Sequence, residues 1–150
     1  MTYARIVVGT DGSATASIAV AHAAALAAAC GSELLIVTAF QPNHSSTAVE
    51  DVPEDLEWAV TDSAAAAQHV ADAARLASEQ GVRPELVHII AEAGDPADAL
   101  VGVAEARSAD VIVVGSKGMN SASRFLLGNV PNKVSHHAPC DVLIVRTTVR

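Results

Sequence analysis

Aromatic residues and cysteines are scarce in this chain of 150 residues. Aromatic side chains make up 3% of the sequence, with one Trp, one Tyr and two Phe. The two cysteines, Cys30 and Cys140, are too few for a scaffold held by disulfides, and we interpret them as small packed side chains. The most apolar window, 18–30, is mostly alanine and includes His22, so it makes a poor membrane span.

Basic residues are also few. Lys and Arg number 9 against 17 Asp and Glu, which gives a formal net charge of -8. A non-specific nucleic-acid binder carries a basic face, and an anionic membrane attracts one, so neither partner is expected here. The first residues run directly into a strand-like stretch without the apolar core of a signal peptide, and we therefore expect a cytoplasmic protein.

Alanine and branched aliphatic residues are abundant instead. Hydrophobic residues make up 51% of the chain, which excludes a disordered protein. The length suits one domain, 1–150, with a sizeable core.

Strand-like and helix-like segments alternate along the whole chain. Short apolar runs predict strands at 6–8, 34–37, 86–91, 111–114 and 142–145, and helical patterns predict helices at 14–30, 54–80, 96–107 and 130–137. Ser13 is a suitable N-cap and Gly31 a suitable C′ residue for the first helix, while Asp95 and Pro96 open the third. This order, with strands apolar on both faces, predicts an α/β fold: a single doubly wound domain whose parallel sheet has helices on both faces.

Two glycine-containing loops follow strands one and four, where ligands bind in such sheets. They are 9–13 (GTDGS) and 115–118 (GSKG), and a third glycine, Gly128, precedes the last helix. Successive backbone N–H groups in such loops can form an anion-binding nest, and a helix N-terminus favours phosphate. The spacing thus indicates a polyphosphate site, although tight turns alone would also explain the glycines. The P-loop and the dinucleotide fingerprint are both absent from the sequence.

Three stretches of the chain resemble the universal stress protein family. VVGSKG at 113–118, nine residues, and GNV at 128–130 are similar to the G-x2-G-x9-G-[S/T] motif of its nucleotide-binding members. IVVGTDGS at 6–13 is similar to the family's opening, and HHAPCDVLIV at 136–145 to its ending. The resemblance implies a five-stranded sheet in the order 3-2-1-4-5, ATP bound with Mg²⁺, and a homodimer through the last strand.

The resemblance also implies the residues around the nucleotide. Asp11, with the backbone of Gly9 and Thr10, would face the nucleoside, and the main chain of Ala39 would lie beside the adenine. The residues implied around the ribose and the phosphates are Val114, Gly115, Lys117, Gly118, Gly128, Asn129 and Val130. Asn129 stands where the family has Ser or Thr, and as a helix N-cap it would need no ligand at all.

Several functions remain open at this stage. The main hypothesis is a stress-response regulatory module that binds ATP with little or no hydrolysis, since no water-activating residue or catalytic triad is evident. The alternatives are a nucleotide-free dimeric interaction protein, a module for AMP or cyclic AMP, and an ATPase in which Asp11 holds Mg²⁺. The adjacent His136 and His137 point about 100° apart on a helix, which argues against a metal pair. The apolar last strand should not stay open to solvent, which favours a dimer.

Overall fold

A computed structural model describes residues 3–40, 63–116 and 129–147 of the chain. Within these ranges five strands form one parallel sheet in the order β3-β2-β1-β4-β5. In chain order the elements are β1 (Arg5–Gly9), α1 (Ala14–Cys30), β2 (Glu33–Phe40), α2 (Ser63–Glu79), β3 (Val87–Ala93), α3 (Pro96–Ala106), β4 (Val111–Gly115), α4 (Asn129–His137) and β5 (Asp141–Val145). The fold class and the strand order are confirmed.

The sheet is covered on both faces because its central strands are apolar on both sides. Ile6 and Val8 of β1 belong to the core under α1 and α2, whereas Val7 belongs to the core under α3 and α4. Val7 lies beside Leu35 in β2 and Ile112 in β4, and all three side chains are fully buried. Alternate side chains of one strand thus supply two separate cores.

The helix ends follow their capping residues. The Ser13 hydroxyl accepts the N–H of Ala16 at 3.1 Å, and Gly31 takes a left-handed conformation with φ of 68°. Asp95 caps α3 by accepting the N–H of Asp98 at 3.1 Å, with Pro96 in the first turn. These caps satisfy backbone groups that a helix end otherwise leaves without a partner.

Several predicted boundaries differ from the structure, and β2 ends at Phe40 rather than at residue 37. Leu86 lies in a short 3₁₀ turn (Pro84–Leu86), and β3 instead continues to Ala93 because it pairs with β2 along its full length. Helix α4 begins at Asn129, so the interpretation of Asn129 as the N-cap is wrong. Pro131 is accommodated two residues later, since the first turn needs no N–H donor. The described part of α2 begins at Ser63, and 54–62 lie outside the described residues.

Candidate functional site

The crevice lies at the carboxyl ends of β1 and β4, where the direction of chain progression through the sheet reverses. Val8 lies beside Val113 in the register, so Gly9 and Thr10 leave β1 next to Val114 and Gly115 of β4. On the other side Gly9 lies beside Val37, two residues before Ala39. The fold therefore brings these predicted nucleoside and ribose residues to one edge of the sheet.

The loop after β1 is braced by its own side chains. The amide N–H of Gly12 donates to Thr10 Oγ1 at 3.1 Å, and that of Ser13 donates to Asp11 Oδ1 at 2.9 Å. Side chains already occupy these two donors, so the anion-binding nest stays a prediction for the loop that begins at Gly115. The loop instead offers acceptors, and within the described residues Asp11 Oδ2 accepts no hydrogen bond. This suits the hydroxyl or amino groups of a nucleoside better than a phosphate.

Gly12 has a positive φ of 81°, which favours glycine, and it also lies against His69 of α2. A Cβ added at Gly12 would lie 2.6 Å from His69 Cδ2. His69 therefore packs directly on the loop that carries Asp11. His69 could not be selected from the sequence, because the contact joins residues that are far apart in the chain.

Gly9 also makes room for a neighbour. A Cβ at Gly9 would lie 3.1 Å from Leu100 Cδ2, so α3 packs closely against the end of β1. Leu100 is buried, and its contact fixes the end of the strand on the face opposite α1. Glycine at position 9 is therefore explained by close packing, since its φ is not positive.

The loop after β4 is held by the segment that follows β5. The Ser116 N–H donates to the carbonyl of Val145 at 2.7 Å, and the Thr147 N–H donates to Ser116 Oγ at 3.1 Å. A Cβ at Gly115 would lie 2.8 Å from Thr147 Cγ2, and Thr147 is buried. Thr147 is thus a second residue that sequence reasoning missed, and it fixes the direction in which the loop leaves the sheet.

The remaining predicted phosphate residues divide into two groups. Lys117, Gly118 and Gly128 lie outside the described residues. Asn129 is exposed and Val130 half-buried in the first turn of α4, where helix N–H groups have no intrahelical acceptor. The start of α4 is therefore a place where helix N–H groups can donate to an anion, and Asn129 lies inside the helix rather than capping it.

Ion pairs fix α4 against α3. Lys133 Nζ lies 3.3 Å from Asp95 Oδ2 and 3.1 Å from Asp98 Oδ1. Hydrogen bonds to Asp98 and Asp95 raise the pKa of Lys133. The Asp98 backbone N–H, followed by Lys133, lowers the pKa of Asp95 despite its partial burial. These contacts orient the helix whose first turn faces the crevice.

A cavity of about 330 Å³ lies at the amino-terminal ends of the strands, opposite the crevice. It is lined by Arg5, Glu33, His88 and Arg107, among others. Its charges are largely paired, since Arg5 Nε contacts Glu33 Oε2 at 2.8 Å and Arg5 Nη1 donates to the Arg107 carbonyl at 3.2 Å. The hydrogen bond from Arg5 lowers the pKa of Glu33. Because its charged groups bond mainly to each other and to the backbone, we do not assign the functional site to this cavity.

His136 and His137 lie in the last turn of α4, where a cation complements the helix dipole. The part of the chain that the structure describes contains no group of three or more His, Cys, Asp or Glu side chains suited to a metal ion. Cys30 and Cys140 are free and partly buried, and burial raises the pKa of the Cys140 thiol. This favours a packing role over nucleophilic chemistry.

The described helices include none long and apolar enough to cross a membrane. The sheet order and the crevice between β1 and β4 define a doubly wound α/β protein of the class that binds ligands at its switch point. The model of the universal stress protein family matches residues 2–146, and the chain belongs to that family.

Individual relatives agree with this assignment. A universal stress protein of Mycobacterium tuberculosis is 39% identical over 146 residues, covering 97% of this chain and 98% of its own length. A crystal structure of a universal stress protein in complex with cAMP is 32% identical, with a TM-score of 0.76 and coverage of 99% of this chain and 100% of that one. The universal stress protein UspA from Lactobacillus plantarum, at 24% identity and a TM-score of 0.78 over 97% of this chain and 99% of its own, shares the fold.

Proposed function

We propose that this chain binds an adenine nucleotide, ATP with Mg²⁺, in the crevice between the loops after β1 and β4. The observation that carries the proposal is the meeting of these loops at one sheet edge, with the G-x2-G-x9-G motif beginning at Gly115. The cAMP complex of the 32% identical structure supports an adenine nucleotide as the ligand.

The two ends of the nucleotide have different partners in this proposal. Asp11 Oδ2 and the main chain of Ala39 face the nucleoside, while Lys117, Gly118, Gly128 and the start of α4 face the phosphates. The internal bonds of the β1 loop support this orientation, because two of its N–H donors are already used by Thr10 and Asp11. A helix N-terminus such as the start of α4 offers the kind of N–H donors that an anion prefers.

Mg²⁺ fits this arrangement as a companion of the phosphates. Protein sites hold Mg²⁺ with one or two carboxylates together with substrate phosphates and water. The nucleotide phosphates and water would supply the oxygen ligands, since Asp11 Oδ2 is assigned to the nucleoside and Oδ1 accepts the Ser13 N–H. When bound, the ion would neutralise phosphate charge in a protein whose own net charge is -8.

We further propose that the nucleotide acts as a regulatory ligand in the stress response, with little or no hydrolysis. Asp11 Oδ1 is engaged by the Ser13 N–H, so this carboxylate braces the loop and is poorly placed to act as a freely moving base. Free thiols at Cys30 and Cys140 are consistent with a cytoplasmic location, where thiols stay reduced.

Cyclic AMP is the second candidate ligand, and the cAMP complex of the similar structure specifically favours it. Asn129, in place of the Ser or Thr of the motif, favours it as well, because a smaller ligand makes less use of the Gly128–Asn129 end of the site. The relative affinities for ATP and cyclic AMP separate the two candidates.

Replacing the motif glycines tests the site. Gly118→Val and Gly128→Val place side chains in the phosphate region, so we expect each to weaken ATP binding by about tenfold or more, or about 1.4 kcal/mol. Gly102→Val is the matched control, because Gly102 has an ordinary helical conformation and no described atom lies within 4 Å of an added Cβ. Folded glycine variants that bind ATP as the control does would disprove the proposed site.

A further inference from the structure

The sheet ends at β3, a strand that the nucleotide proposal does not use. Its inner edge pairs with β2 from Val87 to Ala93, and within the described residues no strand pairs with its outer edge. Ile89 is 53% exposed, and Glu92 and Ala93 are also exposed. Such an edge presents a row of backbone donors and acceptors to which another extended chain can add.

A cavity of about 300 Å³ lies beside this edge, between β3 and α3. It exists because, within the described residues, α3 packs mainly over β2 and β1 and leaves the same face of β3 uncovered. Four of its lining residues are small or apolar and two are acidic: Ala93, Ala99, Gly102, Val103, Glu92 and Asp98.

Gly102 leaves space in this cavity because it has no side chain. It lies within α3, has no positive φ, and no described atom lies within 4 Å of a Cβ built on it. A glycine inside a helix is less favourable than alanine, so neither backbone conformation nor local packing requires it here. The absence of a side chain at Gly102 leaves room for a side chain of another molecule to pack against the helix.

The carboxylates at the rim set the charge of an occupant. Asp98 shares Lys133 with Asp95, whereas Glu92 has no ion-pair partner within the described residues. An apolar floor with an unpaired carboxylate above it matches a side chain with an aliphatic stem and a cationic end. Lys and Arg have this chemistry, and the chain's net charge of -8 favours a basic partner over a second copy of itself.

We propose that the outer edge of β3 binds an extended, basic segment of a partner protein, with a Lys or Arg side chain in the cavity beside Gly102. The segment adds as a sixth strand and exchanges backbone hydrogen bonds with β3. The aliphatic stem of its basic residue lies on Ala99 and Gly102, and the cation pairs with Glu92. The surface adjoins the nucleotide crevice, since Glu92 lies beside Ala39 in the register. No side chain of the surface is assigned to the nucleotide, so the two proposals can fail independently.

Short random peptides displayed on phage, selected against the full-length protein, test this surface. We expect the selected peptides to contain Lys or Arg among β-branched residues, and synthetic copies to bind wild type in fluorescence anisotropy. Gly102→Leu fills the cavity and Glu92→Lys reverses its charge, so each should weaken binding about tenfold or more. Gly102→Ala is the matched control and should retain binding within about threefold, because a methyl group leaves most of the cavity open.

Loss of binding in Gly102→Leu cannot be ascribed to unfolding, since Leu and Ala both favour a helix more than Gly does. Bound peptide should also slow amide hydrogen exchange in β3 and leave ATP binding unchanged. The proposal is overturned if no basic peptide is enriched, or if the enriched peptides bind Gly102→Leu as they bind wild type. It is equally overturned if Gly102→Leu abolishes self-association of the chain, which would make a second copy the occupant of this edge.

Discussion

Gly12 meets two constraints at once, and they can be separated by experiment. Its φ of 81° disfavours any residue with a Cβ, and that Cβ would also collide with His69. Gly31 has a similar φ of 68° with no described atom within 4 Å of an added Cβ, so it carries the first constraint without the second.

We predict that Gly12→Ala lowers the free energy of unfolding more than Gly31→Ala does. A left-handed conformation costs an alanine about 1–2 kcal/mol, and the contact with His69 adds to that cost only at Gly12. Urea denaturation measures both variants. The double variant Gly12→Ala/His69→Ala should recover the steric part, and equal losses in the two single variants would contradict the packing of His69 on this loop.

The limits of the sequence are clearest at such contacts. Gly9, Thr10 and Asp11 could be selected because they lie at the end of a recognisable strand, and the register of β1 with β4 ends just before them, at Val8 and Val113. His69 and Thr147 could not, because their contacts with Gly12 and Gly115 depend on how separate segments pack. The use of two N–H groups of this loop by Thr10 and Asp11 is a local feature, since short polar side chains compete with a ligand for nearby backbone donors.

Among the helices, α3 depends strongly on its first turn. Asp95 caps the helix through the Asp98 N–H and also pairs with Lys133 of α4. One carboxylate therefore starts α3 and joins it to the helix that faces the crevice.

We predict that Asp95→Ala lowers the free energy of unfolding by about 1 kcal/mol at neutral pH, the usual cost of losing an N-cap. The cap lowers the pKa of Asp95 in the folded state, so its contribution is complete above the unfolded pKa of about 3.9. It is lost as the pH falls through the lower folded pKa.

Urea denaturation of wild type and Asp95→Ala at pH 7 and at about pH 3 measures this dependence. The difference between the two proteins should shrink at the acid end. Asp98→Ala is the control, because it removes a partner of Lys133 but keeps the cap. A difference that stays constant or grows on acidification would contradict the assigned role of the Asp95 carboxylate.

The ends of an element can be predicted from the sequence where local residues, such as helix caps, satisfy its terminal backbone groups. Helix α1 was predicted at both ends, since Ser13 and Gly31 satisfy its terminal backbone groups locally. Strand β3 was placed less well, because its last residues, Glu92 and Ala93, are exposed and extended only through pairing with β2. No local apolar pattern indicates that pairing.

We predict that two copies of the protein form a homodimer through β5. This strand ends the sheet opposite β3, and Leu143 and Ile144 are 41% and 36% exposed. Apolar edges of this kind pair with other strands unless charge prevents it. A two-fold interface would bury the same residues from both subunits.

We predict that Leu143→Lys/Ile144→Lys shifts the chain from dimer to monomer in sedimentation equilibrium. Ile89→Lys on β3 is the matched control, because Ile89 is similarly apolar and more exposed, at 53%, on the opposite edge of the sheet. The control should remain a dimer. A wild-type protein that sediments as a pure monomer, or a dimer lost only in the Ile89 variant, would contradict an interface at β5.

Calorimetric titration of the ligand-free protein with ATP, AMP and cyclic AMP, each with and without Mg²⁺, tests the central claim most directly. We predict saturable binding near one nucleotide per chain, with ATP in the presence of Mg²⁺ bound most tightly. Tighter binding of cyclic AMP than of ATP would select the second candidate ligand. The absence of heat and of any thermal stabilisation with all three nucleotides would contradict a nucleotide site, and the glycines of the two loops would then serve only as tight turns.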